Sequence, residues 1–265
     1  MTLISRKIAA AAAITTALAL CATHATQAIA QDVPALLKAA DRYRVGSENM
    51  RVDTLISIFN ADGSPDKERR YTVYAQARRQ SLVLMQSPAE KGQKVLMLGD
   101  DFWLLMPNSQ RPLRITPMQK LLGDASTGDI ATMSWAEDYG GTVTGEEPCG
   151  EPQQACVHLS LSANRKGVTY QRIELWLGKA KHEPIKAELY VQSDKIAKQA
   201  RFVIDKAAAP GNVSGNPNGT VTEMLLQDQL TSKKQTRVRY LARKEHSVPE
   251  AWLNPMFLAR NPALE

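Results

Sequence analysis

A long succession of short segments with apolar residues at every second position constrains the fold of this 265-residue chain most strongly. A period of two is typical of β-strands, whose successive side chains point to opposite faces of a sheet. Turn residues separate the segments, as in Asp62-Gly63-Ser64-Pro65 and Gly99-Asp100-Asp101. Between residues 52 and 242 the pattern predicts roughly eleven consecutive strands, which would pair antiparallel.

Helical patterns are few and short. Asp32 suits an N-cap and Pro34 a first turn, which predicts a helix that ends before Gly46. Two further helices are predicted within the strand succession, at Pro117–Leu122 and Asp129–Tyr139. In the second of these, an amphipathic helix, the apolar side is formed by Ile130, Met133 and Trp135.

So many strands with so few helices must curl or split to hide the sheet edges. We therefore expect a mainly β (α+β) fold: a single unclosed, strongly curved antiparallel β-barrel of about eleven strands with a helical lid. The lid would be the Asp129–Tyr139 helix, packing through Ile130, Met133 and Trp135, or the helix that begins near Asp32. A β-sandwich is the alternative.

The first 30 residues have the layout of a secretory signal peptide. Arg6 and Lys7 precede an apolar stretch, residues 8–21, and Ala28-Ile29-Ala30 is a small-x-small cleavage site. Residues 1–30 are thus predicted to be removed from an exported protein, and residues 31–265 to form a single domain. Lipid attachment at Cys21 is the alternative, but Leu20 stands where lipoprotein signals carry a small residue.

Cys149 and Cys156, with six residues between them, remain after that cleavage. In an oxidising compartment an isolated pair of cysteines predicts a disulfide. A metal site is the competing interpretation, but further Cys or His residues at ligand spacing are missing from the sequence. We expect neither a metal nor another cofactor.

Catalytic and nucleic-acid-binding patterns are also missing. The 33 basic and 27 acidic residues alternate in sign along the chain, which argues against a nucleic-acid stripe. His182-Glu183 begins like a metalloprotease motif, but Pro184 follows and no histidine stands at the required spacing. The sequence therefore predicts a protein that is not an enzyme.

Several strands carry apolar residues on both faces, unlike a sheet with one solvated face. Either helices and loops cover the second face, or the sheet encloses an apolar cavity for a hydrophobic ligand. For the second interpretation we expect a lining that includes the following side chains: Phe59, Leu84, Trp103, Leu105 and Trp176.

Residues 99–107, followed by Arg111 and Arg114, resemble a stretch of the outer-membrane lipoprotein-sorting proteins, relatives of the periplasmic carrier LolA. Further parallels are the Asp129–Tyr139 segment after a Leu-Leu-Gly, the two strands within residues 170–190, and the tail at 248–258. The resemblance spans about residues 50–258 and implies an unclosed β-barrel with a helical lid. For an arginine that grips the lid in the carrier, Arg111 and Arg114 are the candidates.

The resemblance also implies a function. The protein would be a periplasmic carrier that holds lipoprotein acyl chains or another lipid and shuttles them toward the outer membrane without chemistry. The alternative is a periplasmic sensor or accessory binding module that works with an inner-membrane lipid exporter. An exporter of the resistance-nodulation-division type is an expected partner, beside the lipid cargo; contact with membranes would be transient, nucleic acid would not bind, and the carrier would be a monomer.

Overall fold

The computed structural model describes residues 32–45, 47–122, 125–131, 134–205, 216–230 and 234–260, with the backbone alone at 120–122. The predicted signal peptide and Met133 of the predicted lid lie outside the described residues. Residues 31–265 form one compact unit by their contacts. Among the described residues, no helix is long and apolar enough to cross a membrane.

Fifteen strands run through the described part of the chain, with two α-helices and three short 3-10 helices. The strands are β1 (Met50–Phe59), β2 (Pro65–Gln76), β3 (Gln80–Met85), β4 (Lys94–Leu98), β5 (Asp101–Leu105), β6 (Leu113–Ile115), β7 (Lys120–Leu122), β8 (Ala125–Ser126), β9 (Tyr139–Cys149), β10 (Gln154–Ala163), β11 (Arg172–Gly178), β12 (Pro184–Tyr190), β13 (Ile196–Asp205), β14 (Thr220–Asp228) and β15 (Gln235–Glu245). The α-helices are α1 (Val33–Asp41) and α2 (Thr127–Ala131), and the 3-10 helices are Pro88–Glu90, Glu250–Leu253 and Pro255–Phe257.

Thirteen of these strands form one unclosed antiparallel sheet in the order β6-β5-β4-β3-β2-β1-β15-β14-β13-β12-β11-β10-β9. The expected mainly β fold with a curved, unclosed sheet is confirmed, and the β-sandwich alternative is wrong. Curvature brings distant turns together: Arg165 Nε, between β10 and β11, lies 3.2 Å from Asp100 Oδ1, between β4 and β5. Seven strands separate β4 from β11 in the sheet order.

Chain order explains how the open side of the sheet is spanned. β6 and β9 are the two edge strands of the large sheet, yet β9 is the next strand of this sheet after β6 along the chain. The chain between them, residues 116–138, must therefore pass from one edge to the other. We call residues 116–138 the crossover segment; it contains β7, β8 and α2, and β7 and β8 pair only with each other.

The predicted helices of the crossover segment need correction. Residues 117–122 form a turn followed by β7 and not a helix. The helix expected at 129–139 is also wrong in extent, since α2 covers only Thr127–Ala131. A continuing helix would use the backbone N–H of Trp135 within the helix, but that group donates to Asp41 Oδ1 at 2.9 Å. Helix α1, in contrast, begins after Asp32 as predicted and contains Pro34 in its first turn.

Candidate functional site

The face of the large sheet that carries the main apolar cluster is its inner face. Alternating residues of both halves of the sheet contribute, so that the cluster runs continuously across the curved surface. Its members on the strands include Val52, Ile56, Val73, Val83, Val95, Phe102, Leu159, Leu161, Ile173, Leu175, Leu177, Ala187, Leu189, Ala200, Met224, Leu226 and Val238. A protein layer must cover such a surface to keep it from water.

Helix α1 and the crossover segment supply that cover. The stripe Val33, Leu36, Leu37 and Ala40 of α1 packs into the inner-face cluster, as do Ile130 and Trp135 of the crossover segment. The Trp135 ring meets Phe202 of β13 edge-on, with ring centroids 5.5 Å apart. Two of the three predicted lid side chains, Ile130 and Trp135, thus lie against the inner face, and Met133 lies outside the described residues.

Close backbone packing holds α2 in place. The N–H groups of Thr127 and Gly128 donate to the carbonyls of Gln119 and Pro117, at 2.7 and 2.8 Å. A Cβ at position 128 would overlap the side chain of Thr169, which lies just before β11. Only glycine therefore allows α2 to approach the sheet this closely.

Asp41, in the last turn of α1, joins the two parts of the cover. Its carboxylate accepts hydrogen bonds from Ser134 Oγ at 2.8 Å and from the N–H groups of Trp135 and Ala136, each at 2.9 Å. Burial raises the pKa of Asp41 above its ordinary value, and Arg44 together with these hydrogen bonds offsets part of the rise. The Arg44 guanidinium lies 3.9 Å from the centroid of the Trp135 ring.

Asp129, on α2, joins the cover to β13 and to the connection before β11. Lys198 Nζ of β13 lies 2.5 Å from Asp129 Oδ2, and the Tyr170 hydroxyl donates to Oδ1 at 2.7 Å. The N–H and hydroxyl of Ser126 complete the set, both 2.8 Å from Oδ2. Burial raises the pKa of Asp129, but the charge of Lys198 and the hydrogen bonds from Lys198, the Ser126 N–H and Tyr170 outweigh burial and leave the pKa below its ordinary value.

A second ion pair joins the cover to the β2–β3 turn. Asp138, at the end of the crossover segment, pairs with Arg79 of the β2–β3 turn, and both side chains are buried. Arg79 also lies 3.6 Å from Asp100. Of the two candidate lid-gripping arginines, Arg114 pairs with Asp101 of β5, and Arg111 is exposed.

Two cavities adjoin the cover. One of about 440 Å³ opens between α1, the β2–β3 turn and residues 134–138, and its wall includes Val45, Met97 and Ala131. The second, of about 50 Å³, lies under the cover between Asp129, Tyr170, Leu189, Ala200 and Phe202. Among the described residues, no group of three or more His, Cys, Asp or Glu side chains could hold a metal ion.

The structure does not bring the five predicted lining residues together on the inner face. Leu84 and Leu105 belong to a separate cluster on the outer face, with Tyr74, Leu82, Leu96 and Leu258. Trp252 and Leu253 of the C-terminal tail pack against this cluster. Trp103 is the cross-strand partner of Leu96 and therefore shares the outer face.

Phe59 and Trp176 also point away from the inner face. Phe59 lies under the guanidinium of Arg237, 5.1 Å from it. Trp176 stands between Leu175 and Leu177 of the inner-face cluster and so projects to the opposite side, where it stacks on His158 with ring centroids 4.1 Å apart. The five residues therefore do not form the expected single lining on the inner face.

The predicted disulfide is confirmed. Cys149, at the end of β9, is bonded to Cys156 in β10, with Cα atoms 5.8 Å apart. The bond packs against Trp176 and Ile185 on the outer face. It therefore braces the edge hairpin of the sheet without contributing to the inner face.

Comparisons with known proteins agree with this architecture. A family model described as an uncharacterized protein matches residues 77–260. A LolA superfamily protein from Nitrosomonas europaea is 26% identical, with a TM-score of 0.72 over 83% of this chain and 96% of that one. A comparison with curated proteins finds no match.

Two further solved structures share the fold at lower identity. A DUF1329 family protein from Desulfovibrio piger is 20% identical, with a TM-score of 0.63 over 83% of this chain and 95% of that one. An outer membrane lipoprotein-sorting protein domain from Vibrio parahaemolyticus is 18% identical, with a TM-score of 0.64 over 84% of this chain and 96% of that one. The chain therefore belongs to the family whose model matches residues 77–260, and its fold is similar to that of the LolA superfamily protein.

Proposed function

We propose that the mature protein, residues 31–265, is a periplasmic carrier. It binds the acyl chains of a lipoprotein or another lipid against the inner face and carries them toward the outer membrane without chemistry. Residues 1–30 act as the signal peptide. The observation that carries the proposal is the continuous apolar inner face, which is covered by α1 and the crossover segment and not by a second large sheet.

A covered apolar face suits reversible binding. Each CH₂ group of an acyl chain that leaves water contributes about 0.8 kcal/mol. Ile130 and Trp135 already occupy the inner face in the closed state, so the cargo must displace them. The net binding free energy is therefore only the difference between what the acyl chain gains on burial and what these two side chains lose. A carrier needs this balance, because cargo that binds too tightly is not handed over.

The larger cavity offers a route to the inner face. Its wall contains Met97 and Ala131, which also belong to the inner-face cluster. Its rim carries the exposed side chains of Lys38, Arg42 and Arg78. We propose that an acyl chain enters here and then displaces the crossover segment.

The names of the structural neighbours support this function, since two of them refer to LolA and to lipoprotein sorting. The carrier is proposed to act as a monomer with transient membrane contact. An inner-membrane exporter of the resistance-nodulation-division type is a proposed partner.

Native mass spectrometry of the protein purified from an export host tests the proposal. We expect lipid to be retained by the wild type and lost by Phe202→Arg, which places a charge on the inner face beneath Trp135. The matched control is Val203→Arg, because Val203 is the next residue of β13, is 41% exposed and points to the other face. A wild type that never retains lipid, or equal retention by both variants, contradicts the proposal.

A further inference from the structure

The Asp129 carboxylate is held by two donors that do not belong to the crossover segment. Lys198 Nζ reaches Oδ2 at 2.5 Å from β13, and the Tyr170 hydroxyl reaches Oδ1 at 2.7 Å from the connection before β11. Each oxygen of the carboxylate therefore has its own partner on the sheet side. Together the two donors form a site for an anionic group, and in the closed state the crossover segment itself supplies the anion.

This site is deeply buried. The side chains of Lys198 and Asp129 are only 3% and 4% exposed. The cross-strand neighbour of Lys198 is Asp228, whose carboxylate accepts a hydrogen bond from the N–H of Leu230 at 2.8 Å. A buried ammonium that loses its hydrogen-bonded partner is strongly unfavourable. When Asp129 moves away from Lys198, another anionic group must therefore take its place.

Arg79 and Asp138 repeat the arrangement at the other end of the cover. Again the carboxylate comes from the crossover segment, whereas the cation comes from the β2–β3 turn, and the side chains of Asp138 and Arg79 are 1% and 6% exposed. In both pairs, displacement of the crossover segment withdraws one anion from the cation, although Arg79 keeps Asp100 at 3.6 Å.

We propose that the cargo is an amphiphile with an anionic phosphate or carboxylate group, and that this group replaces Asp129 at Lys198 and Tyr170 when the crossover segment is displaced. The inference rests on the proposed carrier function and names the class of its cargo. The acyl part would follow the apolar wall next to the site, where Leu189, Ala200 and Phe202 already line a small cavity.

A neutral amphiphile cannot make this exchange. It would cover Lys198 with apolar groups and leave the ammonium without its counter-ion, whereas an anionic group restores the pair. One charge-assisted hydrogen bond contributes enough free energy to change affinity about tenfold or more. The structure therefore predicts selection by charge at the headgroup.

The test offers the purified wild type an equimolar mixture of dioleoyl phosphatidylglycerol and dioleoylglycerol, which has the same acyl chains but no charged group, and native mass spectrometry counts each bound lipid. We expect phosphatidylglycerol to be preferred about tenfold or more. A separate arm offers sn-glycerol 3-phosphate alone, which should not bind, because it lacks the acyl chain that displaces the cover.

Lys198→Met by itself would strand Asp129 and could prevent folding, so the informative variant is the double substitution Asp129→Asn with Lys198→Met. It removes both buried charges together, which is close to neutral for stability. We expect it to bind both lipids equally. The matched control is Glu146→Gln with Lys179→Gln, which neutralises an exposed pair 2.6 Å apart and should keep the preference.

Each outcome has a distinct meaning. Equal binding of the two lipids by the wild type, or an unchanged preference in the double variant, overturns the assignment of Lys198 but leaves the carrier function standing. Tight binding of glycerol phosphate that depends on Lys198 overturns the assignment of the site to a lipid. Retention of neither lipid contradicts the carrier function itself, and with it this inference.

Discussion

Asp41 and Trp135 lie 94 residues apart in the sequence, yet the Asp41 carboxylate accepts the backbone N–H of Trp135 at 2.9 Å. This contact stops the helical hydrogen-bond pattern after α2 and ties the crossover segment to α1. The two parts of the cover are therefore coupled, and a change at Asp41 should loosen both.

Asp41→Ala is expected to destabilise the protein by roughly 2–4 kcal/mol, because it leaves buried N–H groups without an acceptor. Urea unfolding followed by circular dichroism measures the loss. Asp62→Ala is the control, since Asp62 also accepts a backbone N–H, that of Ser64 at 2.9 Å, but in an exposed turn. Equal unfolding midpoints for Asp41→Ala and the wild type would show that this contact does not hold the cover.

The acid stability of the protein should depend on Asp129. Its folded-state pKa lies below the ordinary 3.8, so its ion pair stabilises the fold above that value. This contribution is lost as the pH falls through the lower folded-state pKa, where the carboxyl becomes protonated. We expect Asp129→Asn to be much less stable than the wild type at pH 7, and we expect this difference in stability to become smaller below pH 3.8.

Thermal unfolding from pH 7 to about pH 3 measures this gap. Glu146→Gln serves as the control, because the side chains of Glu146 and its partner Lys179 are about half exposed. The difference in thermal stability between Glu146→Gln and the wild type should stay small at every pH. A gap for Asp129→Asn that is constant with pH would mean that the charge of Asp129 does not stabilise the closed state.

The Cys149–Cys156 bond should contribute modestly to stability, since the loop that it closes is short. Replacing both cysteines by serine is expected to cost about 2–3 kcal/mol in chemical unfolding. Mass analysis of the non-reduced wild type should show the loss of two hydrogens relative to the reduced form. Lipid retention should be unaffected, because the bond lies on the outer face beside Trp176.

Local patterns predicted the strands well. The two-residue turn Gly99–Asp100 joins β4 to β5 as expected, with Gly99 at φ +60°. Strands and turns are determined mainly by residues that are close together in the sequence, so a single sequence is enough to predict them. The extent of α2 was not predictable in this way, because it depends on the contact of Trp135 with a residue 94 positions away.

The candidate site was harder to predict for the same reason. Leu105 and Phe102 are both apolar residues of β5, but the first lies under the C-terminal tail and the second on the inner face. Periodicity separates the two faces without saying which of them is inside. Lys198 and Asp129 look like ordinary solvated charges in sequence, and only the packing of segments 69 residues apart buries them together.

The C-terminal tail should stabilise the outer face through one side chain. Leu258 is fully buried in the cluster with Leu84 and Leu105, and its carbonyl accepts a hydrogen bond from Lys94 Nζ at 3.2 Å. Leu258→Ala is expected to cost about 2–3 kcal/mol in urea unfolding, the lower part of the range for buried leucines, because a terminal segment can relax around the gap. Met256→Ala provides the control, since Met256 is 79% exposed and should change stability by less than about 0.5 kcal/mol. Equal effects of the two substitutions would show that the tail does not pack on the outer face in solution.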